Sequence, residues 1–421
     1  MKYLKGLTKS RFVRNVAIVA TGTAGAQVIT IAFSPIITRL YGPEAFGLLG
    51  IFMALLAILT PVAALTYPIA IVLPQEDAEA KAIAKLSFRV ALGMAIVTVM
   101  LLLIGGEGLL GLLSSESIAP YILLIPLSMF FSACGQIAQQ WLIRKQQFSI
   151  TAKIAVLQAF ILNSAKTGIG WFHPDGAVLV ILATVGQALD ALMLWLGINR
   201  SRELSENRKH ERVGLTELAK KYKEFPVYRA PQELTNAISR GLPVLMLASL
   251  FGPAVAGYYV LGKKMLDVPS QLIGKSVKDV FYPKVAEAKK NKFPLRIMLW
   301  KVSGALLVVS IIPYGIVVCF GPEIFSFVFG EKWHTAGSYA VWIAVYSLAA
   351  LACRPIVAAV PVVRLQRYYF FHELIFLSIR VVALLLGYFF LQSALSSVAA
   401  YSLASLLSYV VLFFVVTSKA S

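Results

Sequence analysis

The sequence is poor in charge, in cysteine, in histidine and above all in acid. Only 14% of its 421 residues are charged and 58% are apolar, whereas soluble domains carry roughly 25% charged residues. A chain of that composition cannot hide its apolar side chains in one aqueous core. Cys134, Cys319 and Cys353 are odd in number and sit in apolar stretches, which argues against a disulfide framework and against thiolate metal chelation. His173, His210, His334 and His372 are scattered without metal-ligand spacing. No two aspartates stand two residues apart, so a metal-binding Asp-x-Asp motif is missing, and there is no Gly-x-x-x-x-Gly-Lys-Ser/Thr phosphate loop. An enzyme needs acid, base, nucleophile or metal ligands in a common pocket, and the chain offers little from which to build one.

Long apolar runs are what the sequence has instead. Runs of this length cross a hydrocarbon layer about 30 Å thick as helices. Hydropathy predicts spans at 15–38, 46–70, 86–106, 119–142, 151–171 and 176–198, then 231–251, 255–277, 294–319, 335–358, 369–391 and 394–417. Near the N-terminus, Ala24-Gly25-Ala26 resembles a signal-peptide cleavage site, but the apolar run continues to Ile37, and it is read as helix 1. The expectation is an all-α integral membrane protein of twelve transmembrane helices with no extramembrane domain.

The formal net charge of +19 raises the possibility of nucleic acid. The basic residues, however, lie in short loops between apolar spans, without the interleaved aromatics of a single-strand groove. Cytoplasmic loops collect Lys and Arg. The two tails and the five even-numbered loops hold 26 of the 39 basic residues, while the six odd-numbered loops hold only Arg39 and Lys332. Both termini are therefore expected in the cytoplasm.

An internal duplication is visible in two places. Tyr41-Gly42-Pro43-Glu44-Ala45-Phe46-Gly47 and Phe251-Gly252-Pro253-Ala254-Val255-Ala256-Gly257 both read aromatic-Gly-Pro-x-x-x-Gly, 210 residues apart. Arg144-x-Gln146-x-Phe148 and Arg364-x-Gln366-x-Tyr368 lie 220 apart. Six spans per half is an even number, so the halves are expected as two six-helix lobes related as parallel repeats, residues 1–198 and 231–421, with a cleft between them. The basic cytoplasmic linker 199–230 joins them. In it Leu215, Leu218, Ala219, Tyr222 and Phe225 recur at helical spacing opposite Lys220, Lys221 and Lys223, a pattern suited to a helix lying on the anionic inner leaflet.

The run Leu218-Ala219-Lys220-Lys221-Tyr222-Lys223-Glu224-Phe225-Pro226 is followed by Gly241-Leu242-Pro243, Gly252-Pro253, Gly257-Tyr258-Tyr259 and Val268-Pro269-Ser270-Gln271-Leu272-Ile273-Gly274. With Phe281-Tyr282-Pro283 and with Leu40-Tyr41-Gly42-Pro43-Glu44 in the first half, the chain resembles the polysaccharide flippases of the Wzx type over nearly its whole length. These belong to the multidrug/oligosaccharidyl-lipid/polysaccharide exporter superfamily. The resemblance implies a bacterial inner-membrane protein that moves undecaprenyl-pyrophosphate-linked oligosaccharide repeat units from the cytoplasmic to the periplasmic leaflet by alternating access, for O-antigen, capsule or exopolysaccharide assembly. It implies no cofactor, with a proton or sodium gradient as coupling source. The implied partners are the lipid-linked anionic oligosaccharide, membrane lipids, a polysaccharide polymerase and a chain-length regulator, with no nucleic acid. The motifs themselves are turns and helix starts, so they speak to fold more than to substrate.

Candidate site residues come from charge inside the spans. Arg89, Lys153, Lys275, Arg296 and Lys301 lie near cytoplasmic helix ends, where long side chains snorkel to the interface. Arg240, Lys263, Lys264, Asp267 and Arg380 sit deeper, where a charge is costly and faces the bundle interior or a water-filled cavity. Lys263 and Lys264 lie four and three residues before Asp267, so either can reach it along one helix but only one can be neutralised by it, while Arg240 and Arg380 have no evident partner on their own helices. The unpaired cations, joined by Arg354 beside the helix-bending Pro355, would bind an anion such as pyrophosphate, guanidinium forks suiting phosphate oxygens. Asp190 stands alone in an apolar segment and is either an ion-coupling group, a role open also to Asp267, or an interhelical partner for a cation of the second half. Two other readings remain. A cation exporter of the same superfamily shares the fold, but its ligands oppose a positive interior. A glycan polymerase or ligase is expected to carry a large periplasmic loop, and the longest outer loop here is about 15 residues.

Overall fold

The computed structural model describes residues 2–113, 116–200, 214–270 and 294–420. Among them every regular element is helical. The long helices of the first half are α1 (Lys2–Leu40), α2 (Pro43–Ala63), α3 (Asp77–Leu113), α4 (Leu124–Arg144), α5 (Phe148–Gly170) and α6 (Gly176–Arg200). The short α7 (Leu215–Lys221) and a π-turn (Phe225–Arg229) lead into α8 (Ala230–Phe251). Then come α9 (253–270), α10 (Leu295–Phe329), α11 (His334–Ala352), α12 (Arg354–Ala359), α13 (Gln366–Leu391) and α14 (Ala394–Ser418). Ten of the described helices are long and apolar enough to cross a membrane. They carry exposed apolar stripes of the kind lipid covers, such as Leu92, Ile96, Met100 and Leu103 on α3 and Val308, Ile311 and Ile312 on α10. The other two predicted spans fall on α4, rich in Ser and Gln, and on α9. Phe281-Tyr282-Pro283 and most of the basic linker lie outside the described residues.

Both Gly-Pro segments place proline at the first helical position, where its missing N–H is harmless and its fixed φ is already helical. Gly42 is extended (φ −78°, ψ 173°), whereas Gly252 has φ +91°, a conformation open to glycine. The Arg-x-Gln turns are closer in geometry than in letters. Gln146 (φ +55°) sends its N–H to Ile143 O, and Gln147 sends its N–H five residues back to Leu142 O. Arg364 (φ +61°) and Leu365 repeat both bonds, to Pro361 O and Val360 O. This is the Schellman end of a helix with a non-glycine left-handed residue. Its equivalent positions lie 218 residues apart, two fewer than the matched letters.

The chain divides into two compact units, residues 1–253 and 254–421. In the first, α1 lies along α5: Gly22 meets Ala152 so closely that a Cβ would overlap it, Asn163 donates to Thr30, and the Tyr41 hydroxyl donates to Lys166 O at 2.9 Å. A buried Ser128–Thr184 hydrogen bond of 2.9 Å ties α4 to α6. Gly47 of the first Gly-Pro segment packs on the Pro253 carbonyl of the second, with α2 against α8. In the second unit, Gly321 and Gly337 bring α10 onto α11, and Gly387 brings α13 onto Ser397 of α14. Phe320, just before Gly321 and Pro322, breaks α10 with φ −132°, as expected where proline removes a helix donor.

The amphipathic linker stripe is helical over α7, but its apolar face is turned onto protein rather than onto the leaflet. Leu218 is 1% exposed in a cluster with Tyr67, Ile71, Ala80, Ile83, Trp141 and Leu194, and Leu215, Ala219, Tyr222 and Phe225 pack against the same cluster. Apolar surface covered by core needs no lipid, so α7 is a wall of the first unit.

Candidate functional site

The first unit concentrates charge where α7 meets the turn between α2 and α3. Leu65 and Thr66 are both left-handed (φ +48° and +57°), uncommon for residues other than glycine and more so for the β-branched Thr66. The Thr66 hydroxyl donates to Phe225 O at 3.1 Å. Arg144, at the end of α4, pairs with Asp77 at 3.0 Å and donates to the carbonyls of Ile71, Pro74 and Gln75, while Lys145 reaches Asp77 at 2.7 Å. Glu79 takes Lys221 at 2.6 Å and the Tyr222 hydroxyl at 3.0 Å. Its hydrogen bond holds the Lys221 ammonium above the ordinary lysine range. All of these groups stand at the end of the bundle that the charge pattern assigns to the cytoplasm. They fasten the linker helix to the first unit.

Deeper in this unit, Asp190 on α6 aims its carboxylate at Gly135 of α4, with Oδ2 3.2 Å from where a Cβ would stand. Among the described residues it makes neither hydrogen bond nor ion pair. Arg240, on α8 of the same unit, is exposed and has no ion-pair partner among the described residues.

The second unit has a polar interior shared by α9, α10, α11, α13 and α14. Lys263 meets Asp267 one turn on at 3.1 Å, and its ammonium lies 5.9 Å from the Tyr346 ring. Tyr401 stacks edge-on against both Tyr346 and Tyr259, at 6.3 and 6.5 Å. On α10 the buried Tyr314 hydroxyl bonds Leu266 O at 3.1 Å and Ser270 at 2.8 Å. Tyr401, which meets Tyr346, and Ser408, which takes a hydrogen bond from Arg380, stand seven residues apart on one face of α14, so the two cationic positions border the same helix face.

Arg380 departs from the sequence expectation that it lacks a partner on its own helix. Its Nη1 pairs with Glu373 at 3.5 Å, its Nη2 donates to Ser408 of α14 at 3.0 Å, and the side chain is only 8% exposed. Seven residues are two helical turns, so Glu373 shares its face, and the long guanidinium arm spans the gap. His372 joins the group through Nε2, 3.1 Å from the same Ser408 hydroxyl, and Nδ1, 3.5 Å from the Tyr368 hydroxyl. Sequence reasoning left out Glu373, His372 and Ser408. A signal was present in α14, where Ser397, Tyr401, Ser405 and Ser408 recur at spacings of four, four and three, a polar stripe on one face of an apolar helix.

Of the predicted anion-binding cations, Lys263 and Arg380 are thus each held by a carboxylate. Lys264 and Arg354 are exposed and unpaired among the described residues. Beside the two pairs Lys263–Asp267 and Arg380–Glu373, Lys264 and Arg354 thus add positive charge with no carboxylate against it among the described residues.

A family model described as "Polysaccharide biosynthesis protein" matches residues 36–338. The succinoglycan biosynthesis transport protein ExoT of Rhizobium meliloti (strain 1021) is 22% identical over 269 residues, covering 62% of this chain and 51% of that protein. The chain spans about half the length of this curated relative. Among solved structures, the lipid II flippase MurJ in an inward closed conformation aligns with TM-score 0.74 and 12% identity over 95% of this chain and 87% of that one. An inward-facing multidrug resistance MATE family transporter of the MOP superfamily aligns with TM-score 0.69 and 12% identity over 94% of each chain. At that identity the likeness carries the fold, a multi-pass helical membrane architecture shared by flippases and exporters. The chain belongs to the polysaccharide biosynthesis protein family whose model it matches, built on the fold of MOP-superfamily transporters.

Proposed function

We propose that this protein is a flippase of the bacterial inner membrane that carries undecaprenyl-pyrophosphate-linked oligosaccharide repeat units from the cytoplasmic to the periplasmic leaflet by ion-coupled alternating access. It is a transporter of polysaccharide assembly and not an enzyme. What supports the reading is positive charge on predicted spans with no ion-pair partner among the described residues, Lys264 and Arg354 in the second unit and Arg240 in the first, in a chain of this family and fold. Cations without counter-ions in an apolar medium call for an anionic cargo, and a pyrophosphate is such a group. Both termini lie in the cytoplasm in this reading, as the distribution of Lys and Arg demands. A proton or sodium gradient drives the cycle through Asp190 and Asp267.

A cation exporter is the competing reading, and aromatic rings do favour cationic ligands. Here the Tyr346 ring, which stacks on Tyr401, already faces the chain's own Lys263, which disfavours a second cation.

The test is flipping of a lipid-linked glycan in vesicles reconstituted with the full chain. The triple variant Arg240→Gln, Lys264→Gln, Arg354→Gln should fold and lose flipping, and Lys at position 240 should restore part of it, since it keeps the charge without the planar fork. Wild-type flipping by the triple variant overturns the anion site. Asp190→Asn should reduce flipping under a proton or sodium gradient, and unchanged flipping removes Asp190 from the coupling step.

A further inference from the structure

A groove of about 690 Å³ runs between α1 and α5 in the first unit. The small residues Gly22 and Ala152 form its floor, and Ile18, Ile29, Leu157 and Phe160 form its walls. On α5, Lys153, Val156, Leu157 and Phe160 stand at i, i+3, i+4 and i+7, one continuous face. Leu157 and Phe160 are 49% and 53% exposed along it. Lys153, in the second turn of α5, is the cation of this face, is exposed, and has no ion-pair partner among the described residues. The hydroxyl of Thr21, the polar neighbour on α1, is already turned to its own helix, on Ile18 O at 3.1 Å.

We propose that this groove seats the isoprenoid chain of the lipid-linked substrate, with Lys153 holding the innermost phosphate, before the glycan enters the transport path. The inference rests on the flippase reading and adds to it a docking place for the lipid part. Charge complementarity selects the occupant. The free lysine stands at the cytoplasmic end of α5 in the topology of the flippase reading, at the depth where a lipid phosphate sits. An apolar chain buried along the walls contributes in proportion to the area removed from competing lipid contact, so discrimination comes from fit and from the phosphate–ammonium pairing.

The probe is farnesyl diphosphate, a single isoprenoid chain with a pyrophosphate head. Its binding to the purified full chain is followed by native mass spectrometry, and a diazirine-bearing analogue locates it. The expected result is labelling of residues 148–160, with binding weakened about tenfold by Lys153→Gln, the effect of removing one charge-assisted hydrogen bond. Leu157→Trp, which fills the groove from an exposed position, should abolish binding. Displacement of the probe by equimolar phosphatidylglycerol marks an ordinary lipid annulus and overturns the proposal. Full competition by inorganic pyrophosphate, labelling elsewhere, or wild-type binding by both variants overturns it equally. Vesicle flipping separates the two readings. A chain that is labelled in the groove but flips nothing keeps the groove and loses the flippase. Normal flipping by Leu157→Trp loses the groove and keeps the flippase.

Discussion

The two units use the same ion-pair chemistry in opposite places. In the first, the paired carboxylates Asp77 and Glu79 stand in the opening turn of α3 and take their cations from α4 and α7. In the second, Asp267 and Glu373 stand inside long apolar helices and take theirs from their own helices. Pairs at a helix end, reached by water, fasten one segment to another, and removing a partner leaves a charge that water solvates. Pairs at membrane depth have no such refuge. Their carboxylates make it possible to keep Lys263 and Arg380 inside.

The widest separation between the units should come from Glu373→Gln. It strands Arg380, a side chain 8% exposed, and breaking a buried pair in this way costs about 3–5 kcal/mol. Thermal unfolding in detergent should show it, and adding Arg380→Met should recover part of the loss. An unchanged Tm for Glu373→Gln would mean that Ser408 alone suffices to hold the guanidinium. Asp267→Asn should cost less, about 1–3 kcal/mol, because the Lys263 and Asp267 side chains are 29% and 38% exposed and Lys263 keeps the Tyr346 ring. If Asp267→Asn proves the more damaging of the two, the ordering of the pairs by burial is wrong.

The comparison is sharpened without charge at Gly47. A Cβ there would stand 1.8 Å from the Pro253 carbonyl, so Gly47→Ala must separate α2 from the turn that ends the first unit, at about 1–3 kcal/mol for overpacking. Gly93 on α3 has open space around its Cβ position, and Gly93→Ala should stabilise by up to about 1 kcal/mol through helix propensity. Similar Tm values for the two alanine variants would show that the packing at Gly47 yields at little cost.

Most of the helices were legible in the sequence, because lipid demands long apolar segments and hydropathy reads them directly. The ends were less so. Hydropathy starts the third span at 86, but α3 begins at Asp77, since charged residues outside the lipid lengthen a helix without raising its apolarity. It ends the ninth at 319, where the structure has a kink at Phe320 and continues to Phe329. At the candidate site, Lys263–Asp267 was visible because partners four apart on one helix are a local pattern. Arg380–Glu373 was missed at a spacing of seven. Arg380–Ser408–His372 was missed because its central hydroxyl comes from another helix, and sequence carries no distance between helices. The linker stripe was found by its period, but a period names a buried face without saying whether lipid or protein covers it.

The smallest effect should belong to the Glu79 clasp. Lys221 is 60% exposed, and exposed pairs contribute little. Glu79→Gln should therefore leave the Tm within about 2 °C of wild type, whereas Leu218→Ala, from a side chain 1% exposed, should cost about 2–5 kcal/mol. The pH dependence has a definite sign. Glu79 raises the folded-state affinity of Lys221 for its proton, and the same bond holds the Glu79 carboxyl below its ordinary range, so the pair's contribution is present between the unfolded glutamate and lysine values of about 4.3 and 10.4 and is lost as pH rises through the folded lysine value or falls through the folded glutamate value. The small difference between wild type and Glu79→Gln should thus persist at neutral pH, shrink in high salt, and disappear in strong acid and in strong alkali. If Glu79→Gln instead releases α7, seen as new protease cleavage around residues 215–225 while Leu218→Ala does not, then the clasp and not the apolar face holds the linker helix to the first unit.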